Sequence, residues 1–259
     1  MIWTACGRPD NRGGRLMPEP LGPGAMVQSR FPLTTWDEID WARPEDLHMH
    51  TTHVDGTASV AMMADAAAGR GLRRILLTEH IRADSVYFPE FAAEIRAVRK
   101  CDFTAYVGAE TKICSLDGDL DISESHASAC DALVGSVHRP PPEMSGGAVK
   151  WSVFDAKTGR DLEFRLAMAI VEKSRATILG HPMGMSFKAY NVVAEPELRE
   201  LAKSCARHGK AFEFNIRYCP EPALWVRIAR DAGCLVTISS DAHSPQELGR
   251  AWSVFSELQ

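Results

Sequence analysis

Three short stretches of the chain group imidazoles with carboxylates: Asp-Leu-His48-Met-His50-Thr-Thr-His53-Val-Asp55, Thr-Glu79-His80 and Ser-Ser-Asp241-Ala-His243. Between them stand Glu110 in Gly-Ala-Glu, His138 in Gly-Ser-Val-His and His181 in Leu-Gly-His-Pro. Neutral imidazole and ionised carboxylate both offer lone pairs to a divalent cation, so the chemistry these residues point to is metal binding. His48 and His50 are two apart. Residues at that spacing on a strand share a face, so both rings can serve one ion. Asp241 and His243 repeat the spacing with one acid and one ring. Of nine histidines, His53, His126 and His208 fall outside this set.

Nearly every one of these residues closely follows an apolar, strand-like run. The strands are expected at Glu45–His50, Arg73–Thr78, Phe103–Glu110, Ala132–His138, Ala176–His181, Ala211–Ile216 and Cys234–Ser240. Helices are expected at Ala58–Arg70, Pro89–Lys100, Arg160–Ser174, Pro196–His208, Pro222–Ala232 and Pro245–Leu258. Proline suits a first helical turn, as at Pro196, Pro222 and Pro245, and Gly71, Gly209 and Gly233 stand where helices should stop. Thr111–Ile122 reads as an extra hairpin around Asp117-Gly118. Alternation of strand and helix predicts a parallel sheet, and about seven units predict closure into an α/β, TIM-like barrel. Barrel chemistry sits at the C-terminal strand ends, where His48, His50, His80, Glu110, His138, His181, Asp241 and His243 fall.

The 259 residues suffice for one large α/β domain. Against 29 basic residues stand 34 acidic ones, a net charge of −5 that gives no basic field to gather a long nucleic acid. Seven scattered cysteines without a Cys-x-x-Cys pair predict reduced thiols and a cytoplasmic protein. Neither a bilayer-length apolar run nor a secretory signal layout is found. Residues 1–44 read as an N-terminal arm. Its Met1–Gly24 stretch, rich in Gly, Pro and Arg, is expected to be loose or draped over the surface, or to precede a true start at Met17 or Met26. Thr34–Ala42 reads as a short helix packing Trp36 and Trp41 on the body formed by residues 45–259.

The ordered set Asp-Leu-His-x-His-Thr, Asp-Gly, Thr-Glu-His, Gly-x-Glu, Gly-x-x-His, Gly-His-Pro and Ser-Asp-x-His resembles the polymerase and histidinol phosphatase (PHP) family, from about Glu45 to about Leu258. The resemblance implies a distorted (β/α)7 barrel holding two or three divalent transition metal ions, zinc, manganese or iron. It implies three sites: His48, His50, Glu110 and Asp241; the bridging Glu110 with His138 and His181; and Asp55, His80 and His243. Two departures stand out. Glu79 occupies a place usually taken by Asp, and His53 is able to supplement or displace Asp55 at the third ion or to sit at the pocket mouth.

Such a cluster lowers the pKa of a water, supplies hydroxide near neutral pH and neutralises a phosphoryl group. The expected function is therefore phosphoesterase activity on a small phosphomonoester, histidinol phosphate and nucleotides being two options. Catalytic roles are expected for Asp241, His243 as proton donor near the third ion, and Glu79 as an orienting carboxylate. Arg217 and Arg139 are candidate phosphate clamps, since guanidinium pairs phosphate oxygens two at a time. Glu213 and Asn215 share the polar face of their strand, and Lys188 and Tyr190 are expected at the entrance. Arg139–Asp161 is either a lid or a plain insertion. Competing readings are a phosphodiesterase or exonuclease on short oligonucleotides, an amidohydrolase-type metal hydrolase, and a metal-stabilised interaction module. No membrane association is expected, and oligomeric state is not legible.

Overall fold

Strand-forming runs separated by capped helices leave the backbone few alternatives to a parallel sheet. The computed structural model describes residues 31–146 and 150–259. Strand β1 (Thr34–Thr35) is a short edge strand. It is followed by β2 (Glu45–Met49), β3 (Arg74–Leu77), β4 (Thr104–Lys112), β5 (Ala132–Ser136), β6 (Ile178–Leu179), β7 (Ala211–Asn215) and β8 (Leu235–Ser239). The sheet order is β1-β8-β7-β6-β5-β4-β3-β2, with β1 antiparallel to β8 and every other pairing parallel. Just beyond β8 the chain meets the end of β2 through a parallel Met49–Ala242 bridge, in which His50 N–H donates to the Ala242 carbonyl at 2.8 Å.

The helices are α1 (Val60–Gly69), α2 (Phe88–Ala97), α3 (Glu124–Ala129), α4 (Pro142–Ser145), α5 (Ala156–Lys173), α6 (Gly184–Tyr190), α7 (Glu195–His208), α8 (Pro222–Ala232) and α9 (Arg250–Phe255). The Ser59 hydroxyl accepts from Met62 N–H at the start of α1, and the Asp155 carboxylate accepts from Lys157 and Thr158 N–H at the start of α5. Gly209 and Gly233 close α7 and α8 in the left-handed conformation.

Some expectations are corrected. Pro245–Leu258 is not one helix: a 3-10 turn at Pro245–Glu247 ends before Gly249, whose φ of 75° breaks the run, and α9 follows. Thr34–Ala42 forms β1 and a 3-10 turn at Trp36–Glu38, yet Trp36 is buried against Phe255 and Trp41 packs on Trp252. An Ile113–Leu120 antiparallel bridge makes the extra hairpin. Cys101, Cys130, Cys205, Cys219 and Cys234 are free thiols, but Cys114 is disulfide-bonded, which corrects the expectation of reduced cysteines there. The expectation for Met1–Gly24 lies outside the described residues. No helix among the described residues is long and apolar enough to cross a membrane.

The sheet interior is divided along its length. Toward the N-terminal strand ends, Phe31, Leu47, Leu76, Ala132, Val134, Ile178 and Ala211 form a buried apolar cluster. A register shift between Asp46 and Met49 interrupts β2. Bulges of this kind re-aim side chains. Leu47 joins the apolar cluster, and its neighbour His48 joins the polar group at the other end.

Candidate metal centre

Strand β4 carries the centre. Glu110, 2 % exposed, extends two oxygens to different neighbours. Its Oε1 lies 2.9 Å from His138 Nε2, 3.0 Å from His181 Nε2 and 2.8 Å from the Ser136 hydroxyl, which donates to it. Its Oε2 lies 3.5 Å from His48 Nε2, 3.7 Å from His50 Nε2 and 2.8 Å from His80 Nδ1. Asp241 Oδ1 stands 3.3 Å from His50 Nε2 and 3.9 Å from His48 Nε2. Asp55 Oδ2 is 3.4 Å from His80 Nε2 and 3.6 Å from His243 Nε2. All nine candidate ligands therefore converge at the C-terminal strand ends. Gly56 lies so close to the His50 carbonyl that a Cβ there would approach it to 2.6 Å, which fixes glycine in the turn that delivers Asp55.

The donor set fits divalent ions by two observations. The first is spacing: His138 Nε2 and His181 Nε2 are 3.2 Å apart. Nitrogens each about 2.0–2.1 Å from one tetrahedral ion are separated by about 3.3 Å. The second is unmet bonding capacity: His48 Nε2 and both ring nitrogens of His50 are buried without a hydrogen-bond partner. A buried polar atom left unpaired is costly, and metal ligation removes that cost. An imidazole- and carboxylate-rich set suits zinc, iron or manganese better than calcium or magnesium.

Carboxylates behind the rings set their tautomers. Glu213 Oε1 accepts from His48 Nδ1 at 2.7 Å, so the Nε2 lone pair faces Glu110 and Asp241. Glu213 also accepts from the Ser239 hydroxyl at 2.7 Å and from His181 N–H at 2.5 Å. His243 Nδ1 sits 2.8 Å from the Asp241 carbonyl, which can only accept; its Nε2 therefore presents a lone pair toward Asp55. Asp46 bonds Ser240 N–H and Gly249 N–H, each at 2.8 Å, and so secures the turn that carries Asp241. Backbone strain accompanies this precision: φ is 26° at His181 and 50° at Asp241.

The electrostatics show protons competing for the same lone pairs. Burial opposes charge on His48, but Glu213, Glu110 and Asp241 outweigh it and hold its pKa well above the imidazole range. Burial likewise opposes charge on His80, yet Glu110 and Asp55 raise its pKa to about 10. His138 moves the other way, because burial prevails over the pull of Glu110. Burial pushes the Glu110, Asp55 and Asp241 carboxyls upward, but the surrounding rings outweigh it and hold all three below the usual carboxylate range.

The residues expected to act on substrate divide. Arg217 stands at the rim, its Nη2 donating to the Asp241 carbonyl at 2.9 Å and to Glu247 at 3.0 Å. Arg139 is half-buried, and burial followed by the charge of nearby Arg82 lowers its pKa. Glu79 is fully buried, 3.8 Å from His50 Nδ1, and accepts from both the amide and the hydroxyl of Thr51, which places it against the loop that follows β2. His53 turns away from the cluster: its Nε2 is 3.3 Å from Glu94, and its ring stacks on Tyr87. Tyr190 donates to the Trp151 carbonyl at 2.6 Å, and Trp151 in turn donates to the His138 carbonyl at 2.9 Å. The far end of the Arg139–Asp161 segment is thereby tied to a ligand strand. Asp46, Ser136, Trp151 and Tyr218 were not singled out by sequence. The two-residue spacing of Asp46 from His48 and of Ser136 from His138 was the available signal.

Comparison with known proteins supplies lineage. The PHP domain model matches residues 46–217, and the PHP-associated model matches residues 225–259. The chain belongs to the PHP family. A probable phosphatase of Pectobacterium atrosepticum is 25 % identical over 222 residues, covering 80 % of this chain and 81 % of that protein. The probable phosphatase YcdX of Escherichia coli K12 is 25 % identical over 223 residues, with the same shares covered. Among solved structures, the histidinol phosphate phosphatase of Lactococcus lactis, complexed with zinc, L-histidinol and phosphate, superposes with a TM-score of 0.60 at 16 % identity, covering 83 % of this PHP chain and 93 % of that one. A candidate histidinol phosphatase of Listeria monocytogenes gives 0.63 at 14 % identity, covering 82 % and 99 %. At these identities the structural likeness speaks for the fold alone.

Proposed function

We propose that this PHP protein is a metal-dependent phosphoesterase hydrolysing a small phosphomonoester, built on a distorted (β/α)7 barrel that closes at the Met49–Ala242 seam, with residues 1–44 as an arm. The observation that carries the reading is Glu110, whose two oxygens face separate sets of imidazoles. His48, His50, Glu110 and Asp241 would hold one ion, Glu110, His138 and His181 a second, and Asp55, His80 and His243 a third. Bound ions would supply an activated water near neutral pH and offset phosphoryl charge.

The remaining work falls to the chain. Arg217, fixed by Glu247 and the Asp241 carbonyl, presents a cation beside the ligands, where guanidinium complements phosphate oxygens. With Nδ1 held at a carbonyl, His243 turns Nε2 toward Asp55, and as a ligand of the third ion through that nitrogen it would not be free to protonate the leaving group. Glu213 and Glu79 orient rings and loop. The curated relatives named as phosphatases support the phosphoester reading over an amidohydrolase. Hydrolysis of p-nitrophenyl phosphate with added manganese tests it. Activity present in the wild type and lost in folded His48→Ala and Asp241→Ala variants is expected; retained activity in either variant refutes the site.

A further inference from the structure

The wall of the site between β6 and β7 carries a feature that the metal chemistry does not use. Tyr218, immediately after Arg217, packs its ring 4.8 Å from that of His181. Lys188 Nζ lies over the same Tyr218 ring, 5.8 Å from its centroid. That separation lies within the range of a cation–aromatic contact. Lys188 sits on the last turn of α6, is exposed, and pairs with no carboxylate among the described residues. The two ring distances keep its ammonium within one small-metabolite length of a metal ligand. Arg217, the preceding residue, is already engaged by the Asp241 carbonyl and Glu247. With Arg217 engaged, Lys188 is the charge of this wall that no carboxylate among the described residues pairs.

We propose that Lys188, seated on Tyr218, is a specificity determinant that receives a second anionic group of the substrate, a carboxylate or a further phosphate, beyond the phosphate at the metals. The proposal rests on the phosphoesterase reading and deepens it. A substrate bearing an ammonium at that distance, as an amino-alcohol phosphate does, would meet a like charge and be disfavoured.

The test uses the full chain loaded with manganese and four non-hydrolysable probes of one length: butylphosphonate, 4-phosphonobutyrate, butane-1,4-diphosphonate and 4-aminobutylphosphonate. Calorimetry reads affinity without turnover, so a failure here is distinct from absent p-nitrophenyl phosphate hydrolysis. The expected result is binding at least about tenfold tighter for one or both dianionic probes than for butylphosphonate, with the aminobutyl probe weakest. The better of the carboxylate and diphosphonate probes names the second group. Lys188→Ala should abolish the preference, Lys188→Arg should keep most of it, and Lys188→Glu should favour the aminobutyl probe. Equal affinities, no binding, or a preference that survives in Lys188→Ala overturns the proposal.

Discussion

The two ends of the sheet interior are built from neighbouring residues on the same strands and behave oppositely. At the N-terminal end Leu47, Leu76, Val134 and Ile178 meet as a buried apolar cluster. At the C-terminal end β2 and β5 deliver His48 and Ser136, joined by Glu110 of β4 and Glu213 of β7, all buried, and some ring nitrogens remain unpaired. One end lowers its free energy by excluding water; the other holds lone pairs at spacings that favour cations. The contrast teaches that stability and chemistry are separable along a single strand, with one or two residues between them.

Substitutions at the two ends should therefore fail differently. The largest effect is expected from Glu110→Gln, which removes the negative charge shared by two ligand sets: kcat/KM should fall at least about 1,000-fold, or about 4 kcal/mol, with loss of bound metal by elemental analysis. Leu76→Ala at the apolar end should cost about 2–5 kcal/mol of stability by denaturant titration while kcat stays near wild type. If Leu76→Ala removed activity without destabilising the fold, the division would be wrong. Glu213→Gln should weaken metal affinity by about 10–100-fold, because the His48 ring loses the carboxylate that fixes its tautomer.

Acidity sharpens the same contrast. The raised pKa values of His48 and His80, the latter about 10, mean that both rings carry protons at neutral pH that an ion must displace. Metal binding should release protons and tighten as pH rises from 6 toward 8 by about tenfold or more, measured by calorimetry in buffers of different ionisation enthalpy. The apolar cluster offers no ligand to an ion and should contribute nothing to that dependence. The smallest effect is expected from Glu79→Gln. The amide oxygen can still accept from Thr51, so kcat should change by no more than about threefold; a loss of about 100-fold would restore Glu79 to the catalytic group.

The sequence alone determined the types and order of the candidate ligands and the strand ends that carry them. Both features are local: His-x-His spacing and apolar runs of five or six residues are written in neighbouring positions. Helix starts at Pro196 and Pro222 and stops at Gly209 and Gly233 are local in the same way, whereas the caps at Ser59 and Asp155 became visible only in the structure. What only tertiary structure decided is which partner each group meets. Asp55 and His53 are two apart, yet one enters the cluster and the other turns to Glu94 and Tyr87. Glu79 and Glu213 are both buried acids, and only convergence of strands shows that they hold Thr51 and His48. The register shift in β2, which sends Leu47 and His48 into different clusters, depends on pairing with β3 and on the Met49–Ala242 bridge. The short helix α6 and its Lys188–Tyr218 contact were likewise invisible, since seven residues carry too weak a periodic pattern to declare a helix. Local spacing is fixed by covalent geometry, whereas the facing of side chains is set by contacts between residues up to nearly two hundred positions apart, such as Asp46 with Ser240.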